Sequence, residues 1–274
     1  MFGKVLERVR ELHPLVHNIT NYVTVNDCAN MLLACGASPI MADDREEAEE
    51  ITALCAALHL NIGTLNVRTV PAMLAAGKRA AALGHPVTLD PVGAGASSLR
   101  TRTAIQLMRE VRPTLIRGNL SEIRTLALGA ADTRGVDAAG KDKVTGASLQ
   151  KFAAFVKAFA AEAGCVAVVT GEIDLVSDGI KTYGIFNGHP MMSKVTGTGC
   201  QLSALTAAFL AANKENPVEA AAAAVCAMGI CGERAYARLG EAEGNASYRN
   251  YIIDAMYRLR GEDIRRYAVI EQVL

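Results

Sequence analysis

From residue 38 to residue 171, short apolar runs rich in β-branched residues alternate with longer Ala/Leu/Glu stretches, and Gly, Pro, Asn or Asp marks the junctions. That alternation predicts an α/β fold in which crossover helices cover a mostly parallel sheet. The predicted strands are 38–42 (SPIMA), 58–63 (LHLNIG), 86–90 (PVTLD), 114–118 (TLIRG) and 166–171 (VAVVTG). Past Thr170 the period changes. IDLVSDGIKTYGIFNG alternates apolar and polar positions about Ser177-Asp178-Gly179, which predicts a hairpin and so antiparallel strands late in the sheet. Two helices are predicted next: residues 200–213, and one opening at Asn216-Pro217, where Glu219 completes a capping-box spacing and Pro takes the first helical position. Both are apolar on nearly every face, so both are expected to be buried. The opening MFGKVLERVRELHP has helical periodicity with interspersed charge, and no repeat or linker divides the chain, so residues 1–274 are expected to form a single domain.

Composition narrows the range of partners. A chain of 274 residues with 51% hydrophobic content can bury one substantial core. Its 28 Lys and Arg balance 28 Asp and Glu, so no overall field gathers nucleic acid or an anionic membrane, and small molecules are the expected partners. Neither a signal-like apolar core nor a membrane-length run occurs, and a soluble cytoplasmic protein is expected. The seven cysteines (Cys28, Cys35, Cys55, Cys165, Cys200, Cys226 and Cys231) lack C-x-x-C spacing or paired His for zinc, and read mainly as small core residues in a reducing compartment.

Ligands of parallel α/β sheets collect beyond the carboxyl ends of the strands. VTLDPVGAG ends an apolar run in Asp90 and turns through Gly93 and Gly95. LIRGNLSEI places Arg117 at a strand end and Asn119 three residues before Glu122, and VAVVTG ends in Thr170 and Gly171. Two carboxylates, a guanidinium and a hydroxyl along one edge suit a metal-bound polyphosphate. Each residue also has an ordinary use. Asp90 before Pro91 can start a turn, and Asn119 with Glu122 can form a capping box. Arg117, closing an apolar run, requires an anion or full solvation.

The stretch TGTGCQLSAL, residues 196–205, is a glycine-rich turn feeding a helix. Such a turn leaves backbone N–H groups pointing outward, and the helix dipole adds partial positive charge, so the place is built for an anion. Neither the Walker pattern nor G-x-G-x-x-G after a first strand is present. Cys200 faces whatever anion binds there; the helix N-terminus lowers a thiol's pKa and a neighbouring triphosphate raises it, so its ionisation state stays open. Cys200 then reads as a base for a substrate alcohol, as a nucleophile, or as a small residue filling a tight helix start. A nucleophile calls for a histidine to orient the sulfur, and His189 is the nearest in sequence. Met41, closing SPIM, reads as core on burial habit alone.

The segments LVHNITNYVTVNDCANMLLACGASPIMA, LDPVGAGAS, IRGNLSEI, VVTGEIDLVSDG and KVTGTGCQLSAL, in that order across almost the whole chain, resemble the hydroxyethylthiazole kinase family. The resemblance implies a ribokinase-like three-layer sandwich that transfers a phosphoryl group from ATP, with Mg²⁺, to the primary alcohol of 4-methyl-5-(2-hydroxyethyl)thiazole, a salvage step feeding thiamine synthesis. It implies Cys200 beside the substrate hydroxyl, where related sugar kinases carry aspartate, with Gly197, Thr198 and Gly199 lending N–H groups to the moving phosphoryl group. By the same resemblance Arg117 and Thr170 are ATP contacts, and Asp90 and Glu122 form the Mg²⁺ and phosphate environment. Met41 and Gly197 are thiazole-binding positions, with Asn21 nearby. A homotrimer with its substrate pocket between subunits is implied as well. DDREEAEEI and KDKVTGASLQKF depart from the family pattern and read as variable, solvent-facing segments. Two other readings stand beside this one: a Cys200-dependent thiol hydrolase or transferase, and a non-catalytic nucleotide or thiazole sensor on the same fold.

Overall fold

The computed structural model describes residues 2–129 and 144–274. Strands β1 (Leu15–Ile19), β2 (Ser38–Met41), β3 (Ala57–Asn61), β4 (Val87–Asp90), β5 (Leu115–Asn119) and β6 (Val166–Thr170) are parallel, and β7 (Asp174–Ser177), β8 (Thr182–Ile185) and β9 (Ile270–Gln272) extend the sheet antiparallel. The nine strands follow the order β2-β1-β3-β4-β5-β6-β7-β8-β9. The helices in chain order are α1 (Phe2–Leu12), α2 (Val25–Cys35), α3 (Ala48–Leu54), α4 (Thr69–Ala82), α5 (Ser98–Val111), α6 (Leu120–Leu128), α7 (Leu149–Ala163), α8 (Thr198–Ala212), α9 (Pro217–Arg238), α10 (Asn245–Arg258) and α11 (Gly261–Tyr267). The middle group, α3 to α7, packs on one face of the sheet, and α1, α2 and α8 to α11 form the layer on the other, giving two apolar clusters with the sheet between them. This is the expected three-layer α/β sandwich with late antiparallel strands.

The strand order places a topological switch between β1 and β3. The connection from β1 to β2 crosses one face through α2, and the one from β2 to β3 crosses the other through α3. A crevice opens beyond the carboxyl ends at such a point. The strands bordering it bury polar residues on the face that meets α8: Asn18 on β1, His59 and Asn61 on β3, Thr88 and Asp90 on β4. The opposite face of the same strands is apolar apart from His17 on β1, with Ile19, Leu58, Leu60 and Leu89 fully buried.

Both predicted late helices are buried, as their composition requires: α8 shows only one partly exposed residue between Cys200 and Ala212. Burying a single Leu or Phe side chain there stabilises the fold by about 1.5–3 kcal/mol. All seven cysteines are buried and unpaired. The hairpin forms where expected, although its loop is longer than two residues: Ser177 pairs with Thr182, Gly179 adopts φ 86°, and the Asp178 Oδ1 accepts the N–H groups of Ile180 and Lys181 at 2.9 Å each.

Two sequence expectations are corrected. Two strands, β1 and β9, were not predicted; β1 carries His17 and Asn18, which make its run look polar although both are buried. The capping box at Asn216 does not form. Pro217 does open α9, but Asn216 makes no side-chain cap, and Glu219 instead ion-pairs with Lys181 of the hairpin loop. Of the two variable segments, Asp43–Glu47 is exposed as expected, whereas residues 141–143 of KDKVTGASLQKF lie outside the described residues and the segment's end begins α7. Among the described residues no helix is long and apolar enough to cross a membrane.

His59 is fully buried; its Nδ1 lies 3.0 Å from the Asn18 Oδ1, which accepts its proton because the Asn18 Nδ2 donates to the Val16 carbonyl. Burial, with Arg117 adding to it, pushes the imidazole pKa from 6.5 down to about 3. The unfolded chain therefore binds a proton that the folded chain refuses. Stability from this residue is fully present above pH 6.5 and is lost as pH falls toward about 3. Denaturant melts of wild type and His59→Gln across that range should show a shallower acid loss in the variant, and equal slopes would contradict this role.

Candidate active site

The site assembles where the first turn of α8 meets the ends of β1, β3, β4 and β5. Gly197 caps the helix with φ 86° and offers no side chain to its amides. A Cβ at Gly197 would lie 2.3 Å from the Thr24 Cγ2, so backbone conformation and crowding both require glycine. The first helical hydrogen bond runs from the Gln201 N–H to the Gly197 carbonyl at 2.9 Å. Helix geometry therefore leaves the N–H groups of Thr198, Gly199 and Cys200 without carbonyls of their own helix. A Cβ at Gly199 would sit 2.4 Å from the Arg117 Nη1, so the guanidinium rests against this turn.

Arg117 has the anion that its place in an apolar strand demands. Its Nη2 donates to the Thr170 Oγ1 at 2.6 Å, and its Nη1 lies 3.7 Å from the Asp90 Oδ2. Asp90 is fully buried, and its Oδ2 accepts from the Asn61 Nδ2 at 2.9 Å and the Ser203 hydroxyl at 2.8 Å. Burial pushes the Asp90 carboxyl up to about 6 against the pull of Arg117, and Glu122 adds to the rise. The Asp90 Oδ1 meets no hydrogen-bond donor among the described residues.

Glu122 forms the capping box expected of it: its Oε2 accepts the Asn119 N–H at 2.8 Å, while the Asn119 Oδ1 accepts the Glu122 N–H at 2.9 Å. It has a further task, because its Oε1 accepts the Gly93 N–H at 2.8 Å and so fastens the glycine-rich turn after β4 to the start of α6. Arg100 fastens the same turn from the other side. Its guanidinium donates to the Gly63 carbonyl at 2.7 Å and the Val92 carbonyl at 3.5 Å, gripping the exits of β3 and β4 together.

Cys200 is buried behind the helix start. Its Sγ accepts from the Asn21 Nδ2 at 3.3 Å, and the same amide donates to the Asn61 Oδ1 at 3.0 Å. The Asn21 Oδ1 accepts the N–H groups of Val23 and Thr24 and the Thr24 hydroxyl, each at 3.1 Å, which fixes the amide's orientation. An unbroken chain of hydrogen bonds thus runs from Cys200 through Asn21 and Asn61 to Asp90. Burial first, then the Asp90 charge, pushes the Cys200 thiol above its usual 9.0, despite opposing bonds from Thr24, Asn61 and Asn21. His189 makes no hydrogen bond to Cys200. It stacks on Tyr236, with ring centroids 3.5 Å apart, and its Nδ1 accepts the Met191 N–H.

A cleft of roughly 910 Å³ opens on one side of the α8 start, lined by Arg117, Thr170, Thr198, Gly199, His189 and Met228 among others. Its volume lies within the usual span of small-molecule sites. Asn21, Met41 and Cys200 lie outside that lining. Met41 ends β2 half-buried against the α8-side core cluster, which contains Cys200, and so is neither fully core nor free. The helix start therefore borders the cleft through Thr198 and Gly199, while Cys200 is buried in the α8-side core cluster. Sequence reasoning missed Asn61, Ser203 and Thr24. The polar third and fifth positions of ALHLN, on a strand whose intervening leucines are buried, are the signal that would have found Asn61.

A sequence profile of the hydroxyethylthiazole kinase family matches residues 6–262. The chain is 58% identical over 270 residues to the hydroxyethylthiazole kinase of Clostridium acetobutylicum, covering 97% of this chain and 99% of that one. It is 50% identical to the enzyme of the same name from Ruminiclostridium cellulolyticum, covering 93% and 92%. The structure of hydroxyethylthiazole kinase from Pyrococcus horikoshii OT3 superposes with a TM-score of 0.87 at 38% identity, covering 100% of this chain and 99% of that one. The pyridoxal kinase of Staphylococcus aureus, at 17% identity and a TM-score of 0.60, shares the fold.

A thiol with a raised pKa reacts slowly with alkylating agents near neutrality. Alkylation of Cys200, followed by peptide mass spectrometry, should stay slow through neutral pH and accelerate only above its usual 9.0. Rapid labelling at pH 7 would restore the thiolate.

Proposed function

The chain belongs to the hydroxyethylthiazole kinase family, and we infer from that membership and from the α8 start that it transfers the terminal phosphoryl group of ATP to the hydroxyl of 4-methyl-5-(2-hydroxyethyl)thiazole, yielding the thiazole phosphate used to make thiamine. The single observation that carries this reading within the site is the set of outward amides at Thr198, Gly199 and Cys200, with Arg117 against them and the cleft on one side. Phosphoryl transfer needs little covalent help from the protein, so positioning and charge neutralisation account for most of the catalysis. We assign the cleft to ATP, with Arg117 and Thr170 contacting its phosphates and the α8 amides stabilising charge on the transferring group. The thiazole lies on the Cys200 side, against Met41, Gly197 and Asn21. A thioether and backbone suit a flat, polarisable ring.

Cys200 is neutral in the resting site, so its first task is to orient the substrate hydroxyl by hydrogen bonding. A neutral thiol cannot take up a second proton, so the alcohol proton passes to an oxygen of the transferring phosphoryl group late in transfer, as the hydroxyl oxygen gains positive character. The donor set also fits Mg²⁺, which needs only one or two carboxylates besides substrate phosphates. Asp90 offers a buried, unpaired Oδ1, and Glu122 retains lone pairs beyond its two backbone bonds. When bound, the ion would neutralise phosphate charge. We further propose a single cytoplasmic kinase domain that assembles as a homotrimer, with the half-exposed β2 and the apolar Tyr22, Val23 and Leu33 beside it facing the partner and completing the thiazole pocket.

Incubation with hydroxyethylthiazole, ATP and Mg²⁺ should yield thiazole phosphate and ADP; binding of both without turnover would identify a sensor instead. Arg117→Ala should raise KM for ATP by about tenfold or more, the scale of losing a charge-assisted contact, and an unchanged KM would remove Arg117 from the nucleotide site. Cys200→Asp should retain turnover without any covalent adduct, since a carboxylate accepts a hydrogen bond from the alcohol and can take its proton. Complete loss in that variant, with a trapped thioester or thioether in wild type, would establish a thiol nucleophile.

A further inference from the structure

His17 belongs to the LVHNITN motif, yet its ring faces away from the sulfur and the cleft. Cross-strand pairing places it beside Ile40 of β2, while its neighbour Asn18, on the opposite face, pairs with Met41. The β1–β2 ladder ends at that Asn18–Met41 pair. Beyond it Ala42 is buried, residues 43–47 are exposed, and α3 begins at Ala48. β2 is the edge strand and is half-buried throughout, so β1 alone supplies its ladder in the sheet.

The imidazole extends that hold past the end of the ladder. The His17 Nε2 lies 2.7 Å from the Ala42 carbonyl, and the Nδ1 lies 2.8 Å from the Thr52 hydroxyl, with all three residues buried. A carbonyl only accepts, so Nε2 carries a proton and donates it to Ala42. The Thr52 hydroxyl, also 2.7 Å from the Ala48 carbonyl, sits within α3. One ring therefore braces both ends of the exposed 43–47 segment, the exit of β2 and the body of α3.

We propose that His17 is a positioning residue for the thiazole alcohol: by holding the Ala42 carbonyl it sets the height at which Met41 meets the substrate. The inference rests on the reading of Met41 as a thiazole contact. His17 touches neither ATP-side residue, Arg117 nor Thr170, so its effect falls on one substrate only. A residue needed merely for folding would affect both substrates alike, or neither.

Steady-state kinetics on the full-length enzyme with hydroxyethylthiazole and Mg·ATP distinguish these cases. His17→Phe keeps the ring shape and removes the donor. It should raise KM for the alcohol about tenfold, the worth of one buried hydrogen bond, while KM for ATP and kcat stay within about twofold. His17→Gln places an amide N–H near the Nε2 position and should recover most of the alcohol KM. His17→Asn is too short to reach Ala42 and should behave like His17→Phe, so it decides the matter if the Phe variant does not fold. Parallel increases in both KM values, an unchanged alcohol KM in His17→Phe and His17→Asn, or no recovery in His17→Gln would overturn the proposal. Met41→Ala separates the two readings: a raised alcohol KM there with flat His17 variants rejects the brace alone, whereas a flat Met41→Ala rejects the thiazole contact and the brace with it.

Discussion

The constraint on which the site depends is a carboxylate that cannot reach water. Asp90 ends β4 fully buried and is held by Asn61 from β3, Ser203 from α8 and Arg117 from β5. A charge or proton sealed in that way has to be satisfied by neighbours fixed in place, because an unpaired buried carboxylate costs several kcal/mol. Asn61 can serve Asp90 only if its own oxygen is engaged, and Asn21 together with the Gly63 N–H engages it. Asn21 is in turn locked by the backbone at Val23 and Thr24, which leaves its remaining N–H aimed at the Cys200 sulfur. Four strand ends and a helix start are thereby tied to one oxygen atom.

Much of this was legible in the chain because the informative residues sit at strand ends, where an apolar run breaks off in a polar residue. Asp90, Arg117 and Thr170 were found that way, and they do converge: Arg117 bonds Thr170 and lies against Asp90. The glycines of TGTG announced a bare helix start because glycine offers no cap, and the local geometry follows from the local sequence. The Asn119 box formed for the same reason, since both partners lie within one turn.

What escaped depends on partners far away in sequence. β1 is hidden in the sequence because His17 and Asn18 look solvent-facing until Thr52, Ala42 and His59 are brought around them. The cap predicted at Asn216 lost Glu219 to Lys181, a residue 38 positions earlier whose place next to α9 only the hairpin determines. The Cys200 ionisation stays open in the local sequence, because the helix dipole and a neighbouring triphosphate push it in opposite directions. Its depth in the core and the neighbouring carboxylate, neither visible in TGTGC, dominate the outcome.

The grip of Arg100 on the carbonyls of Gly63 and Val92 has a mechanical corollary. Two exits clamped by one planar group translate as a unit, so this wall of the site is stiff and poorly suited to adapt to molecules of a new shape. Compliance is left to the sheet's border at β2, where a single flanking strand supplies the ladder. Divergence in which alcohols such an enzyme accepts is therefore expected to accumulate along that margin and to spare the clamped side.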